Sequence, residues 1–592
     1  MFRTLSRALG PGRFVQAAFA GLAGMAAFSL PAAALDVVST SPSRYALGVS
    51  RSISSIDIVF DEDIIVPATS IRVAGVMSGI EPGTVSVNGN TLSYEPSTPF
   101  LPGEKVRVHL HRDIEGATSG TTLTGGYYFS FTVASDFGGL DFSAFSVFDA
   151  SVIPYFIHGG DVDEDGRPDI CVPNEGTSDV SVFLNDSGVG EFDSRTDYGV
   201  GQKPSSIFGD DLDNDGFQDL ATADIQGSTM SVLMNNGDGT FSPAGFYATD
   251  SDDCRQVHGA DLDGDLDIDL VATSHVPTTG QGQIWVFYNR GSGTFFSGVP
   301  YGGIADGSFT VEVEDYDGDG HPDIAVGCRE ADMVTILTND GTGGSFSIRG
   351  HYAAGNGPWD TDANDLDGDG DVDLVMADSF GNRMGVLLND GTGAFTASSV
   401  ATAAFPLGVH LADLDGNGTI DAITSNFAGS NAQVFLNDGN GAFTWHDNLL
   451  VQLTGSYPWA SDLDGDGDMD ISVVDENSDL LFVFYNGLES ASGPAPDGRP
   501  TPALLSLPNP MRSTSGARIF LRGESRLSRI EIVSASGRLV RSLDAPPEGA
   551  GLPYVDWDGR DGEGRKVAPG RYFFRGRTAD GRTLAGEAQV VD

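Results

Sequence analysis

Aspartates recur along this chain in a fixed nine-residue frame, at positions one, three, five and nine. Carboxylates converging from a tight turn are the chemistry of a hard divalent cation, which takes oxygen ligands. The frames are DVDEDGRPD from Asp161, DLDNDGFQD from Asp211, DLDGDLDID from Asp261, DYDGDGHPD from Asp315, DLDGDGDVD from Asp365, DLDGNGTID from Asp413 and DLDGDGDMD from Asp462. The expected ligands are therefore Asp161, Asp163, Asp165 and Asp169; Asp211, Asp213, Asp215 and Asp219; Asp261, Asp263, Asp265 and Asp269; Asp315, Asp317, Asp319 and Asp323; Asp365, Asp367, Asp369 and Asp373; Asp413, Asp415, Asn417 and Asp421; and Asp462, Asp464, Asp466 and Asp470. Position six is glycine in six of the seven copies, where the chain must bend sharply. Ordinary Asx turns do not need four acidic positions per turn. Calcium fits such a loop better than magnesium, which prefers a rigid octahedron and retained waters. Up to seven calcium ions are expected. The loops from Asp261, with Leu266 at position six, and from Asp413, with Asn417 at position five, should bind more weakly.

The loops return every 48–54 residues, a period that means a solenoid, an array or a propeller. Each unit has one plan. A short strand ends at the loop (SSIFGD, RQVHGA), an apolar strand leaves it (DLATAD, DLVATS), a third follows (MSVLMN, IWVFYN), and an Asn-Asp-Gly-type turn leads to a fourth from Phe241 or its equivalents. Four short strands per unit make a propeller blade. The seventh unit stops at FVFYNGL without its fourth strand. Residues 140–149, where Phe142 and Phe148 keep the spacing of Phe241 and Tyr247, are expected to supply it and close the ring.

These repeats resemble the FG-GAP/VCBS repeats of integrin α-subunits and bacterial exported proteins. The resemblance implies a seven-bladed β-propeller over residues 136–490, with calcium loops between the first and second strands of each blade and ligands met on the opposite face. Residues 35–135 contain strand runs such as IDIVFDEDI, KVRVHL and YYFSFTV, and resemble a bacterial Ig-like β-sandwich. Residues 504–592 form a second small sandwich. There the stretch from Trp557 to Tyr572 resembles the Ig-like domain of the flagellar hook-capping protein and C-terminal sorting domains, and is expected to fold as a hairpin. Residues 491–503 are a Pro/Gly linker. Residues 1–34 read as a signal peptide: Arg3, Arg7 and Arg13, an apolar run, then Pro31 and Ala32 to Ala34 at a cleavage site. No other run approaches the length of a transmembrane helix, so none is expected in the mature chain.

The repeat region carries 62 acidic against 8 basic side chains, a net −54. That balance argues against a nucleic-acid partner, since phosphate binding rests on Lys and Arg. The C-terminal sandwich carries +3 and clusters of arginine (Arg512, Arg518, Arg522, Arg526 and Arg529; Arg571, Arg575, Arg577 and Arg582), which fits anchoring to the cell envelope. Cys171, Cys254 and Cys328 form no disulfide framework, and Cys171 and Cys328 lie in apolar strand runs as expected buried thiols.

No nucleophile motif or phosphate loop stands out. Three residues before each loop come His158, Phe208, His258, Glu312, Asp362, His410 and Trp459. These either line a central channel as a ligand or second metal site, or pack locally between blades. Trp285, Trp359, Trp445 and Trp459 are candidates for an aromatic platform, with Trp285 read as blade packing and Trp359 and Trp459 expected nearer the face opposite the loops. The function expected is extracellular adhesion or recognition of a protein or glycan, by a secreted or cell-surface protein that is not an enzyme. Alternatives are a propeller-based lyase or hydrolase and a structural surface-layer component.

Overall fold

The computed structural model describes residues 34–487, apart from 189, 191, 193–194, 250–252, 276–280 and 342–344, together with most of 503–591. The expected signal peptide and linker lie outside the described residues except for Ala34 and Ala503. Among the described residues every regular element is a strand.

Seven four-stranded antiparallel sheets lie between Asp141 and Gly487, blades one to seven in the order of their aspartate loops. Blade two shows the plan: Pro204–Asp210, Asp219–Asp224, Thr229–Asn235 and Phe241–Ala248, paired in sequence order. The second strands are buried on both faces (Asp219–Asp224 in blade two, Asp373–Asp378 in blade five), because each blade is covered by a neighbour on either side. This is why they read as nearly continuous apolar runs. The outer strands are largely exposed: in Phe241–Ala248 only Phe241 is buried, with Gly245 and Tyr247 half-buried. The innermost strands pack successively, and that of blade seven, Gly455–Ser461, meets that of blade one, His158–Gly160.

The ring closes as the sequence leads one to expect. Asp141–Asp149 pairs antiparallel with Leu480–Gly487 and forms the outer strand of blade seven, with Phe145 opposite Phe484. The three cysteines are buried and free.

The N-terminal sandwich packs two four-stranded sheets around Ile58, Phe60, Leu92, Val106, Val108 and Phe129. It is no detached spacer. Strands Ile71–Gly75, Lys105–Leu110 and Tyr127–Thr132 turn their apolar alternates inward and their polar ones, Arg72, Arg107, His109, Tyr128 and Thr132, onto the propeller, so both faces are buried. The C-terminal sandwich corrects one expectation. Tyr554–Trp557 pairs with Ala517–Arg522 in a three-stranded sheet, whereas Gly570–Thr578 lies in a five-stranded one. The stretch from Trp557 to Tyr572 thus crosses between sheets, with only an Arg560–Lys566 bridge along the way. Packing decides this, because Trp557, Tyr572 and Phe574 meet face to edge across the core.

Candidate metal centres and the two propeller faces

Each nine-residue loop joins the first and second strands of a blade, and all seven are built alike. The position-one carboxylate accepts the backbone N–H of position six at 2.8–3.0 Å in every copy, from Gly166, Gly216, Leu266, Gly320, Gly370, Gly418 and Gly467. That contact requires a left-handed residue, and Leu266 adopts φ 72° where the glycines of the other copies lie at 85–102°. For a leucine this conformation is strained by roughly 1–2 kcal/mol. Position four is left-handed as well, and there Glu164 (φ 58°) and Asn214 (φ 64°) stand where the other copies have glycine.

Position nine ties the loop to its blade. One oxygen of Asp169 accepts the N–H of Val162 at 3.0 Å and the other that of Asn185 at 2.7 Å, and the same pair of bonds recurs in all seven blades. The asparagine side chain then reaches into the preceding blade. Asn235 Nδ2 donates to Val162 O, Asn289 to Leu212 O, Asn339 to Leu262 O, Asn389 to Tyr316 O, Asn437 to Leu366 O and Asn486 to Leu414 O, at 2.7–2.9 Å. Asn185 donates to Leu463 O of blade seven at 2.9 Å and completes the circle. Sequence reading passed over this latch, although its signal was present: six of the seven asparagines lie sixteen residues after position nine.

The remaining carboxylates converge. Ligand-capable oxygens of Asp161, Asp163 and Asp169 lie within 4.8 Å of one another, as do those of Asp315, Asp317 and Asp323. In loops two and three the triads are Asp211, Asp213 and Asp215, and Asp261, Asp263 and Asp265. Asp186, outside the frame, joins Asp163 and Asp165. The Oδ1 atoms of Asp163, Asp317 and Asp367 are buried without a hydrogen-bond partner, a costly arrangement that a cation relieves. Burial, and after it the neighbouring carboxylates, pushes Asp161 up to about 7 and Asp169 to about 8. An oxygen-only donor set of crowded carboxylates fits a calcium-type ion, and the residues present would hold it through positions one, three, five and nine. In loop six Asn417 donates from Nδ2 to Asp415 Oδ2 at 3.0 Å, so an amide already occupies one of the carboxylate oxygens.

The N-terminal sandwich covers this loop face. Arg44 pairs with Asp315 at 2.9 Å, Arg112 with Asp263 at 3.0 Å, Arg72 with Asp210 at 2.5 Å and Lys105 with Glu314 at 2.9 Å. Backbone bonds run from Asp161 N to Met77 O and from Tyr128 N to Gly320 O. Four cations thus meet an acidic ring, while the loop tips at Asp165, Asp215, Asp369, Asn417 and Asp466 stay exposed.

The opposite face is open and of another character. Phe309, Trp359, Phe405, Phe380 and Phe427 form a connected aromatic cluster across blades four to six, with Phe405 meeting three of the others edge to face and centroids 4.9–6.1 Å apart. Arg329 lies over Phe309, Trp359 and Phe380 at 4.2–5.6 Å and makes no ion pair among the described residues, while Arg255 lies over Phe309 at 5.1 Å. Trp359 Nε1 donates to Tyr155 Oη at 2.6 Å. Trp359 is therefore where the sequence places it, whereas Trp459 follows its reading as a residue three places before a loop and not its reading as an open-face residue. Trp459 stacks on His410 at 4.5 Å, inside the ring. Trp285 packs within its blade, and Trp445 stands half exposed on an outer strand.

Comparison with known proteins gives the class. The family described as FG-GAP-like repeat matches residues 161–222, 211–272, 267–326, 315–376, 365–424 and 413–473, and the chain belongs to this family. A bacterial Ig-like domain matches residues 31–133, and the FlgD Ig-like domain matches 513–581. These modules together point to an extracellular or surface protein. A search of curated proteins returned no match. Among solved structures the chain is similar to BBS1N in complex with ARL6DN, at 13% identity and TM-score 0.43, over 60% of this chain and 98% of that one. It is also similar to PorZ, a surface component of the type-IX secretion system of Porphyromonas gingivalis, at 13% identity and TM-score 0.37, over 93% and 75%. A third is an N-acetylglucosamine-recognising lectin of Agrocybe aegerita, at 18% and 0.32, over 75% and 100%. At these TM-scores the likenesses bear on neither ligand nor activity.

Proposed function

We propose that this chain is an exported, surface-held recognition protein whose propeller binds an acidic extracellular glycan on the face opposite the aspartate loops. The observation that carries this reading is Arg329, a guanidinium laid over three aromatic rings and free of any ion pair among the described residues, on a body with 62 acidic and 8 basic side chains. What sets Arg329 apart from the other unpaired cations is that it lies over three rings. Aromatic faces take the apolar face of a sugar ring, and a guanidinium takes a carboxylate with directed hydrogen bonds.

Calcium ions in the aspartate loops are the scaffold of this reading, holding the ring rigid while the N-terminal sandwich covers them. The C-terminal sandwich, after the Pro/Gly linker and with its arginine clusters, anchors the protein at the cell envelope. The chain acts as a binder and not as an enzyme. A glycan and protein array probed with the full-length protein in calcium tests the proposal. Retention on uronate-bearing or other carboxylated glycans is expected. Retention on proteins alone would reassign the face to protein adhesion, turnover of an arrayed glycan would favour a propeller lyase or hydrolase, and silence would favour a structural surface-layer role.

A further inference from the structure

The ring encloses a cavity of about 140 Å³ on its axis. The Ig-like sandwich covers its loop-face end, where Lys105 and Arg107 line it, and Phe156 stacks on Tyr457 at 3.5 Å toward the other end. The wall is formed by the residues three places before each loop. In four consecutive blades, three to six, these are His258, Glu312, Asp362 and His410, and all four line the cavity. Two imidazoles and two carboxylates are a donor set unlike that of the aspartate loops.

Their spacing is informative. His258 Nε2 lies 3.4 Å from Glu312 Oε2, beyond the usual hydrogen-bond range of about 2.7–3.2 Å. His410 Nδ1 lies 3.1 Å from Asp362 Oδ2. A tetrahedral site with bonds of about 2.0–2.1 Å holds its donors about 3.3–3.4 Å apart, so the His258–Glu312 pair stands at the edge length of such a site, while His410 and Asp362 stand at hydrogen-bond distance and would part slightly to admit an ion. The carboxylate of Asp362 is aimed from behind, accepting the N–H of Ala363 at 2.7 Å and of Leu411 at 2.9 Å. His410 is fixed by its stack on Trp459, and His258 by Phe208 at 5.0 Å. The nearest ammonium, Lys105, is engaged with Glu314 and the carbonyl of Ala363. His258 Nδ1 makes no hydrogen bond of normal geometry. Local packing explains His158, which meets Gln218 at 3.3 Å, but it does not require two His–carboxylate pairs side by side around a void.

We propose that His258, Glu312, Asp362 and His410 bind one transition-metal dication of zinc type in the central cavity, separately from the aspartate loops. Mixed imidazole and carboxylate donors suit such an ion, whereas calcium takes oxygen alone. Because the cavity is covered at one end and narrowed at the other, the ion enters as the ring closes and exchanges slowly afterwards.

The test uses the full-length protein produced in zinc-supplemented medium and dialysed into zinc-free buffer containing calcium. Elemental analysis should find about one zinc per chain, falling at least tenfold in the His258→Ala/His410→Ala variant and staying unchanged in Asp415→Asn, an aspartate-loop variant. No zinc in the wild type, or equal zinc in wild type and double variant, would overturn the site. Should the double variant fail to fold, wild-type protein refolded with cobalt(II) decides the matter. Intense visible bands of a tetrahedral ion are expected, and only the weak bands of octahedral coordination would overturn the proposal.

Discussion

The two faces of the propeller solve opposite electrostatic problems. The loop face gathers carboxylates, satisfies most of their oxygens with backbone N–H groups, and is covered by a domain that brings Arg44, Arg72, Lys105 and Arg112. The open face gathers aromatic rings and leaves Arg329 without a carboxylate. The difference teaches that the abundant, patterned chemistry is structural, while the sparse chemistry is available to a partner.

Removing calcium should have the largest effect, confined to the loop side. Sites of extracellular type bind at about 0.1–1 mM, and seven of them at one to ten times that concentration contribute roughly 3–10 kcal/mol. Calorimetry in excess chelator should lower the propeller's melting temperature by many degrees, and an unchanged melt would remove calcium from the account.

Breaking the cover comes next. Arg72 and Asp210 are both buried, and Arg72→Ala leaves Asp210 with Arg107 alone, at 3.6 Å, at a cost of roughly 1.5–3 kcal/mol. Proteolysis should then release the N-terminal sandwich sooner, and wild-type resistance in the variant would show that the cover is held by other contacts. Asn389→Ala removes the bonds to Tyr316 O and Val372 O and the acceptor of Gly391 and Gly393, and should cost about 2–3 kcal/mol in the melt.

A pH effect is expected in the cover when calcium fills the loops. Burial pushes Glu104 from 4.5 up to about 7, against the N–H groups of Ser78 and Leu101 that favour its charge. Between those values the folded protein holds the proton more tightly than the unfolded chain does, so this group's contribution to stability is present below the window and falls as pH rises through it. Melting temperature measured across the window should show that slope, and Glu104→Gln should flatten it.

The smallest effect is in loop six. Asn417→Asp restores a charge, and titration followed by native mass spectrometry should show that site tightening by roughly three- to tenfold. The wild type should fill five sites before the two at Asp261 and Asp413.

Much of this was legible in the sequence, because the loops are local. Position one to position nine spans one turn, and its aspartates and glycines name their own geometry. Ring closure was legible too, since Phe142 and Phe148 repeat a spacing set by the blades themselves. The covering of the loop face was not. Arg72, Arg107 and His109 alternate with apolar residues as any solvent-facing edge of a sandwich would, and only the burial of both sheet faces reveals a docked surface. The path of the chain between Trp557 and Tyr572 was missed for a related reason: Asp-Gly turns signal a reversal but not which sheet receives the next strand. Trp459 carried two readings, and the open-face one failed because its neighbour in the fold is His410, forty-nine residues away in sequence.

The most direct test of the division between faces compares two single variants for glycan binding by calorimetry in calcium, using the best carboxylated glycan found on the array. Arg329→Ala, on the open face, should lose at least tenfold in affinity with an unchanged melt, and Arg112→Ala, under the cover, should bind like wild type. Equal affinity for wild type and Arg329→Ala, or loss only in Arg112→Ala, would contradict the account.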